Sequence, residues 1–520
     1  MSGHIRAVAL AAALLPAALG QTASAQDVEL RSFDGTVELE GNLIAYDGAY
    51  YQIDTVYGTL TVSAEGVSCA GPGCPDLTSF VAEARIAGAA TVAEGLLPDL
   101  LAAFAAQQGM TATADVTSRG TVVHSLLRED GQAAARFIVT PGSTDDGFLA
   151  LLNGEVDIAL ALREPDEAER IAARDQAPDD PPLTRRVRVL ALDALVPVVS
   201  AGNPASALPM ADLARLFSGE VVNWADLGGP DAPVALHLLS TGLGPAQDFA
   251  DRVLMATDRP LSATIVRHDS AADLARAVAR DAFAVGITSR SAAGAARVLP
   301  LTGACGFSQT ATADAVKSED YPLTAPVYLY LAPYRLPQLV RQFLAFTETE
   351  EAGRILQNAG YVNQDLTRTP LSLQGERIRN AVLAAGDEVT LEDVQAMLRR
   401  LGSAERLSPT FRFGDGAAEL DTQSRAAVGR LATAIETGLF DGRTLLFVGF
   451  SDSAGTAQIN TRLAARRAET VLEAVRAAAD GAGTDRVTLR SVAFGEAMPM
   501  ACEDTDWGRA VNRRVEVWVE

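Results

Sequence analysis

The sequence predicts a multidomain protein with a small all-β N-terminal unit, a two-lobed α/β region and a C-terminal α+β domain. Short strand-like runs broken by turn residues occupy residues 27–68, strands alternate with helices between residues 84 and 365, and a compact mixed pattern begins near residue 407. Closely spaced short strands are typical of an antiparallel barrel or sandwich, and strand–helix alternation is typical of α/β proteins with parallel sheets.

The first 25 residues have the pattern of a secretory signal peptide. A short basic start with His4 and Arg6 precedes an apolar run from Ala7 to Leu19, and small residues follow up to Ala25. This run is much shorter than the roughly 20 residues that span a bilayer, which argues against a membrane anchor. Because no later segment is long and apolar enough either, we expect an exported protein with no transmembrane segment in the mature chain.

Composition and charge exclude several classes of function. The 520 residues include 66 acidic and 43 basic side chains, for a net charge of −23. Binding to nucleic acid or to anionic lipid requires a basic surface, so we expect no nucleic-acid partner and no polybasic membrane contact. The chain has only four histidines and four cysteines, and its histidines lie alone in their segments. We therefore predict no metal site, no cofactor and no catalytic residues.

The N-terminal unit, residues 26–82, is predicted to be a small β domain, with an extended arm on the next domain as the alternative. Cys69 and Cys74 lie near its end, and Gly71 to Gly73 between them can turn the chain back, so we predict a disulfide between these two cysteines. Export would permit such a bond. Cys305 and Cys502 either pair across domains or stay free, and the sequence does not decide between these alternatives.

Residues 83–365 contain six segments with a characteristic order and spacing. They read IAGAATVAEGLLPDLLAAF, GFLALLNGEVDIALALREP, LALDALVPVVSAGNP, LARLFSGEVVNWADLGGPDAPV, YPLTAPVYLYLAP and FLAFTETEEAGRILQNAGYVN. In this order they resemble the phosphate-type periplasmic solute-binding proteins of ABC transporters. The resemblance implies a two-lobed periplasmic-binding-protein fold with a small oxyanion such as phosphate in the cleft between the lobes.

The resemblance implies five ligand contacts in that cleft, namely Ala90, Thr91, Arg163, Gly242 and Gly244. Ala90 and Thr91 lie where backbone N–H groups and a hydroxyl meet a helix N-terminus, which favours anions. Gly242 and Gly244 lie in the second loop of the cleft. That loop has Leu243, Gly244, Pro245 and Ala246 where the family has hydroxyl residues and an arginine.

Arg163 matches the arginine of the family's Ser-Arg pair and can make a bidentate contact with an oxyanion. Leu162 replaces the serine of that pair, and Asp145 and Asp146 stand where the family usually has small or hydroxyl residues. Since carboxylates repel anions, tight phosphate binding is one of two interpretations. In the other, Thr91 caps a helix and Arg163 forms a structural ion pair.

Residues 366–406 are predicted to form a helical linker, and residues 407–520 a domain with the order β-α-β-α-β-β. The domain contains a set of signature residues: Gly449, Ser451, Asp452, Gly455, Asn460, Leu463, Arg466, Arg467, Ala468 and the closing run from Asn512 to Val517. With this order and this signature it resembles the OmpA-like peptidoglycan-binding domain.

The resemblance assigns Asp452 and Arg467 to the diaminopimelate of a Gram-negative stem peptide. This residue carries an ammonium, which Asp452 can face, and a carboxylate, which suits the planar guanidinium of Arg467. Ser451, Asn460 and a C-terminal arginine, either Arg513 or Arg514, are expected to support the site. The alternative is that Asp452 caps the next segment and Arg467 lies on a solvated helix face.

Together these patterns predict a non-catalytic periplasmic protein of a Gram-negative bacterium. Its C-terminal domain would hold it on peptidoglycan, in association with the cell wall or outer membrane, and its central module would bind or sense a small solute. Two alternatives remain open. One is a phosphate or oxyanion receptor of an ABC transporter, and the other is a structural envelope linker that binds a protein partner.

Overall fold

The computed structural model describes residues 27–77, 80–118, 120–176, 178, 180–240, 244–254, 258–413, 419–479 and 481–520. The predicted signal peptide, residues 1–25, and the candidate ligand residue Gly242 lie outside the described residues. The chain divides into two compact units, residues 1–80 and residues 81–520.

The N-terminal unit is a five-stranded antiparallel sheet, as predicted. Its strands are β1 (Val28–Ser32), β2 (Glu38–Tyr46), β3 (Tyr50–Thr55), β4 (Gly58–Ser63) and β5 (Val67–Ala70). They are arranged in the order β4-β3-β2-β1-β5. Alternate side chains of β1 and β3, led by Leu30 and Ile53, form the buried face. The structure contains the predicted disulfide between Cys69 and Cys74, which packs against this face.

The central region is built on strands that alternate with helices, as the sequence pattern predicts. Its strands are β6 (Ala82–Ala89), β7 (Thr111–Val116), β8 (Val122–Leu127), β9 (Ala133–Gly142), β10 (Ile158–Ala161), β11 (Val187–Val199), β12 (Leu208–Pro209), β13 (Ala235–Leu239), β14 (Val266–His268), β15 (Ala284–Ser289), β16 (Arg297–Val298), β17 (Leu301–Thr302), β18 (Ser308–Gln309) and β19 (Thr324–Leu331). Its helices are α1 (Ala90–Gly95), α2 (Leu97–Gln107), α3 (Thr144–Leu152), α4 (Glu167–Gln176), α5 (Met210–Phe217), α6 (Gly244–Phe249), α7 (Ala271–Arg280), α8 (Ala313–Lys317), α9 (Gln338–Phe346) and α10 (Glu350–Asn358).

Eleven of these strands form one continuous sheet that runs through two lobes. The order is β14-β13-β15-β11-β19-β10-β6-β9-β8-β7, with β16 also paired to β11. The long strand β11 pairs with β19 up to Ala194 and with β15 from Leu195 onward. We therefore call residues 82–194 and 324–365 lobe 1, and residues 195–323 lobe 2.

The sheet is mixed, whereas the sequence pattern predicts parallel pairing. β6 is parallel to β9 and β10, and β13 is parallel to β14 and β15, but β11 and β19 are antiparallel to each other. The chain crosses into lobe 2 along β11 and returns to lobe 1 along β19. A strand that leaves a lobe and one that returns must run in opposite directions, which alternation alone does not reveal.

The C-terminal domain is a five-stranded sheet with helices on both faces. Its strands are β20 (Arg368–Pro370), β21 (Glu405–Phe411), β22 (Thr444–Phe450), β23 (Thr488–Gly495) and β24 (Val515–Val519). Its helices are α11 (Gly375–Ala384), α12 (Leu391–Leu401), α13 (Thr422–Glu436), α14 (Ala457–Ala478), α15 (Gly481–Thr484) and α16 (Asp506–Asn512). The strand order is β20-β21-β24-β22-β23. The short helix α16 lies between the last two strands, in a stretch that the sequence pattern presents as a loop.

The segment predicted to be a linker packs against this sheet. β20 pairs with β21, and α11 and α12 cover one face through side chains such as Val394 and Met397. Alternation along β22 makes this possible, because Leu446 and Val448 face the linker helices while Leu445 and Phe447 face α13 and α14. The 366–406 segment therefore contributes to the core of the C-terminal domain.

The C-terminal domain contacts both lobes of the central module. On lobe 2, Cys502 forms a disulfide with Cys305, and the buried guanidinium of Arg406 makes two hydrogen bonds to Asp320, at 2.6 and 3.0 Å. On lobe 1, further contacts join the start of α13 to two loops. These are Thr422 N to Glu164 Oε1 at 3.1 Å and Gln423 Nε2 to Gln364 Oε1 at 3.2 Å. Contacts to both lobes restrict the movement of one lobe relative to the other.

Candidate functional site

Asp452 lies at the carboxyl end of the buried strand β22, in a loop that joins this strand to α14. The residue is only 9% exposed, and its Oδ2 accepts a hydrogen bond from Arg513 at 2.8 Å. Arg513 comes from the turn between α16 and β24 and remains half-exposed. The pair holds the Asp452 carboxylate in one orientation at the rim of the sheet.

Arg467 extends from α14 toward this pair. Its guanidinium lies over the ring of Phe413, 5.6 Å from the ring centre. Burial, and then the nearby charge of Arg513, lowers the pKa of Arg467, while the charge of Asp452 opposes this shift. Among the described residues, no hydrogen bond or ion pair engages the guanidinium. Arg467 is therefore a half-buried cation near Asp452 whose donors remain available to a carboxylate.

Ser451 and Asn460 lie behind Asp452 and are almost completely buried. The hydroxyl of Ser451 and Oδ1 of Asn460 have no hydrogen-bond partner among the described residues. The amide nitrogen of Asn460 donates to Glu496 Oε1 at 3.2 Å. Buried polar atoms usually have partners, so these two are candidate contacts for a polar ligand.

Three further carboxylates contact the segment that follows Asp452, namely Glu503 at Ser453, Glu388 at Ala457 and Glu496 at Asn460. Burial raises the pKa of Glu496, and the charges of Glu503, Glu388 and Asp452 raise it further. Glu388, from the linker, accepts a hydrogen bond from Ala457 N at 3.0 Å at the start of α14. Acidic residues in the loop between β23 and α16 are the only sequence signal for this environment. Together these groups make the region around Asp452 favourable for a cation.

Arg514 does not lie at this site, which corrects its assignment as a supporting residue. Its side chain is fully buried and donates to Glu516, to Asn512 O and to Met498 O. Of the two adjacent arginines only Arg513 reaches Asp452, because Arg513 follows directly on α16 at the surface, whereas the guanidinium of Arg514 lies in the core against Glu516.

The candidate contacts of the solute cleft lie at the boundary of the two lobes. Thr91, Arg163 and Gly244 line adjoining cavities that share the side chains of Leu162 and Asp248. Ala90 is the first residue of α1, and the cap before it, Ala89, provides no side-chain hydrogen bond. Thr91 therefore faces the cleft and does not cap the helix.

Arg163 is held by carboxylates of its own lobe. Its guanidinium donates to Glu169 at 2.7 and 2.9 Å, to Asp145 at 2.6 Å and to Glu164 O at 2.9 Å. The hydrogen bond to Glu169 is the main reason that the pKa of Arg163 is raised. Both terminal nitrogens of Arg163 thus have anionic partners, as the ion-pair interpretation of this residue expects.

Leu162 fills the position at which the family has a serine, and its side chain crosses the cleft. A Cβ atom added to Gly244 in lobe 2 would lie 2.6 Å from Leu162 Cδ1 in lobe 1. The backbone at Gly244 is thus covered by an apolar side chain of the opposite lobe. An oxyanion at this position would lose the N–H groups that the family resemblance implies.

Buried acids also line the cleft. Burial raises the pKa of Asp193 to about 6, although hydrogen bonds from Ser291 and Ala194 oppose the shift. Burial likewise raises the pKa of Asp248, whose nearest cation is Arg252. These two acids and Asp145 line the cleft together with Arg163.

Two further properties concern the described residues only. No helix in the described ranges is long and apolar enough to cross a membrane. In the same ranges, no group of three or more histidine, cysteine, aspartate or glutamate side chains is arranged to hold a metal ion.

Two protein families match this chain. The PBP superfamily domain matches residues 76–351, and the OmpA family matches residues 412–513. Protein SphX of Synechococcus elongatus is 27% identical over 298 residues, which cover 54% of this chain and 83% of that protein. Outer membrane porin F of Pseudomonas fluorescens is 43% identical over 72 residues, which cover 14% of this chain and 21% of the porin. The chain thus spans about a fifth of the porin's length.

Solved structures of similar proteins match at low identity. The ABC-type phosphate transport receptor from Vibrio cholerae is 20% identical, with a TM-score of 0.41, and the match covers 54% of this chain and 99% of the receptor. The phosphate-binding protein from Stenotrophomonas maltophilia is 12% identical, with a TM-score of 0.38 and coverages of 54% and 91%. Matches with TM-scores this low do not identify the ligand of this chain. The family matches do decide the classification: this chain belongs to the PBP superfamily and carries a C-terminal domain of the OmpA family.

Proposed function

We propose that this protein is a non-catalytic component of the Gram-negative cell envelope that binds peptidoglycan through its C-terminal domain. The observation that supports this most directly is the pairing of opposite, partly buried charges at one site. Asp452 is held by Arg513, while Arg467 nearby has no ion-pair partner among the described residues. A ligand that carries both an ammonium and a carboxylate matches this arrangement.

Diaminopimelate in the peptide stem is such a ligand. Its free ammonium would contact Asp452, in the acidic environment of Glu496 and Glu503, and its free carboxylate would contact the guanidinium of Arg467. The unpartnered atoms of Ser451 and Asn460 would accept or donate further hydrogen bonds to the peptide. Arg513 would orient Asp452.

For the central module we propose a role that does not require capture of free phosphate. Both terminal nitrogens of Arg163 donate to carboxylates of Glu169 and Asp145, and Leu162 covers the backbone at Gly244. A transport receptor must also diffuse to its permease, and attachment to the wall would prevent this. The module would instead bind or sense another solute, or a protein partner, at the wall.

Binding to a tripeptide that ends in diaminopimelate, measured by calorimetry, tests the proposed site. Asp452→Ala and Arg467→Ala should each weaken binding about tenfold or more, because each removes a charge-assisted hydrogen bond to the ligand. Arg466→Ala is the matched control, since Arg466 is the exposed neighbour of Arg467 on the same helix. It should leave the affinity within about twofold.

A second ligand separates the two charges. A tripeptide with lysine in place of diaminopimelate keeps the side-chain ammonium and the C-terminal carboxylate but lacks the side-chain carboxylate. It should therefore bind the wild type weakly and should not distinguish it from Arg467→Ala. Co-sedimentation with purified sacculi should follow the same order of variants. Equal binding of sacculi by wild type and by the Asp452→Ala/Arg467→Ala double variant would refute the proposed site.

A further inference from the structure

Residues 500–512, which we call the bridging segment, lie between lobe 2 and the Asp452 loop. The segment contains Cys502, Glu503 and Asp504 in succession, and α16 at its end leads directly to Arg513. It contacts the solute-binding module on one side and the proposed peptidoglycan site on the other.

Its contacts with lobe 2 involve three positions. Cys502 forms the disulfide with Cys305, and its Sγ also accepts a hydrogen bond from Cys305 N at 3.1 Å. Asp504 Oδ2 accepts from Ala304 N at 2.9 Å, and Met500 O accepts from Gln309 Nε2 at 2.6 Å. The segment is thus attached to lobe 2 both covalently and by hydrogen bonds.

Its contact with the peptidoglycan site is made by Glu503. The carboxylate accepts hydrogen bonds from Ser453 N, at 2.9 and 3.0 Å, and from the Ser453 hydroxyl. It also accepts one from Asn512 Nδ2 at 2.9 Å. Ser453 directly follows Asp452, and Asn512 directly precedes Arg513. Glu503 therefore joins the chain neighbours of both partners of the Asp452–Arg513 pair.

The bridging segment has little freedom to shift independently of Cys502. Cys502 is buried, and a Cβ atom added to Gly508 would lie 1.8 Å from Cys502 O. On the other side, a Cβ atom added to Gly303 of lobe 2 would lie 2.5 Å from Cys502 Sγ. Packing this close means that a displacement at the disulfide must move the adjacent Glu503.

We infer that Glu503 is a positioning residue of the peptidoglycan site and that the Cys305–Cys502 disulfide couples this site to lobe 2 of the solute-binding module. The inference rests on the proposed function. Glu503 fixes the position of the Asp452 loop relative to the turn at Arg513, and the disulfide fixes the position of Glu503. Wall binding is therefore tightest when lobe 2 and the bridging segment are joined.

A double-mutant cycle in the full-length protein tests this coupling. Cys305→Ser/Cys502→Ser and Glu503→Gln should each weaken binding of the diaminopimelate tripeptide, by roughly three- to tenfold. The combination should weaken it no further than the stronger of the two, because both changes release the same contact. Cys69→Ser/Cys74→Ser removes the other disulfide, and Asp506→Asn neutralises an exposed acid of the same segment. Both controls should bind like the wild type.

Hydrogen exchange supplies a readout that a purely structural role would not change. Coupling between two sites is reciprocal, so ligand binding at Asp452 should strengthen the contacts on lobe 2. Saturating tripeptide should slow exchange at the amides of Ala304 and Cys305 in the wild type. The same ligand should have no such effect in Cys305→Ser/Cys502→Ser. If that variant does not fold, Asp504→Asn takes its place in the double-mutant cycle, because it weakens the contact of the bridging segment with Ala304 of lobe 2.

The outcomes separate this inference from the proposed function. If the wild type does not bind the tripeptide, the proposed function is wrong. If Asp452→Ala abolishes binding while Glu503→Gln binds normally, only the inference is wrong. Multiplicative losses in the combined variant, or unchanged exchange at Ala304 and Cys305 on ligand binding, would show that the two sites are independent and would also overturn it.

Discussion

At the scale of single residues, the carboxylates around an arginine decide whether its guanidinium is available to a ligand. Arg163 has two close carboxylate partners, whereas Arg467 lies over an aromatic ring and, among the residues that the structure describes, has no hydrogen-bond or ion-pair partner. Both match arginines of their families' patterns, so sequence reasoning treats them alike. Their different roles follow from acids that lie 6 and 18 residues from Arg163, and such spacing does not by itself predict an ion pair.

Glu516 shows how a buried carboxylate stabilises the fold through its arginine partners. It is fully buried and contacts Arg377, Arg406 and Arg514. Burial alone would raise the pKa of Glu516, but the three guanidinium groups lower it on balance. Glu516→Gln should reduce the free energy of unfolding by about 3–5 kcal/mol, because it leaves buried cations without their counter-charge.

The free energy of unfolding lost in Glu516→Gln should become smaller as the pH falls. A carboxyl whose pKa is depressed in the folded state stabilises the protein above its unfolded-state pKa, and this contribution declines as the pH falls. The difference between wild type and Glu516→Gln in urea titrations should therefore be complete above about pH 5 and shrink toward pH 2. The control Glu473→Gln disrupts an exposed pair with Arg476 and should cost less than about 1 kcal/mol. Equal losses in the two variants would contradict the assigned role of Glu516.

At the scale of elements, the signature glycine of the C-terminal domain has a packing role. Gly449 in β22 faces α14 so closely that an added Cβ atom would lie 2.1 Å from Ala464 O. The obstacle is backbone, which cannot rotate away. Close approach of this strand to the helix brings Asp452, three residues later, within reach of Arg467.

Gly449→Ala should therefore separate β22 from α14. We expect a loss of at least about 2 kcal/mol in the free energy of unfolding, together with weaker tripeptide binding. Gly429→Ala is the matched control, since Gly429 lies in the exposed face of α13 with no atom within 4 Å of an added Cβ. It should stabilise the protein by up to about 1 kcal/mol, because alanine favours helix. Thermal and chemical unfolding would measure both, and a neutral Gly449→Ala would contradict the packing argument.

Much of the element level is predictable from the sequence. Strand and helix patterns depend on neighbours a few residues apart, and they predict the N-terminal sheet, the alternation in the central region and the order of the C-terminal domain. They miss the antiparallel crossing strands β11 and β19, because direction depends on which lobe the chain joins next. They also miss the packing of α11 and α12, since an amphipathic helix does not reveal which surface covers it.

At the scale of the whole molecule, the C-terminal domain restrains the central module. It contacts lobe 2 through Cys305 and Asp320 and lobe 1 through Glu164 and Gln364. A hinge movement of the lobes would have to break a buried ion pair or these hydrogen bonds. A flytrap receptor requires such a movement, so this arrangement is unfavourable for cycles of capture and release.

Two measurements on the full-length protein test this conclusion. Spin labels at Ala106→Cys in lobe 1 and Ala272→Cys in lobe 2 should give one distance distribution that 1 mM phosphate does not change. The same phosphate should raise the free energy of unfolding by less than about 0.5 kcal/mol, whereas a dissociation constant near 1 µM would raise it by about 4 kcal/mol. A shift in the distance, or stabilisation of several kcal/mol, would favour the phosphate-receptor alternative.

The sequence by itself determined the order of the modules, the family of each and the candidate pair Asp452 and Arg467. These depend on local periodicity and on motifs whose residues lie within a short stretch of chain. The tertiary structure alone decided the partner of Cys305, the choice of Arg513 over Arg514, and the position of Leu162 over Gly244. Each of these depends on distances between residues that lie far apart in the chain, and only the packed fold sets those distances.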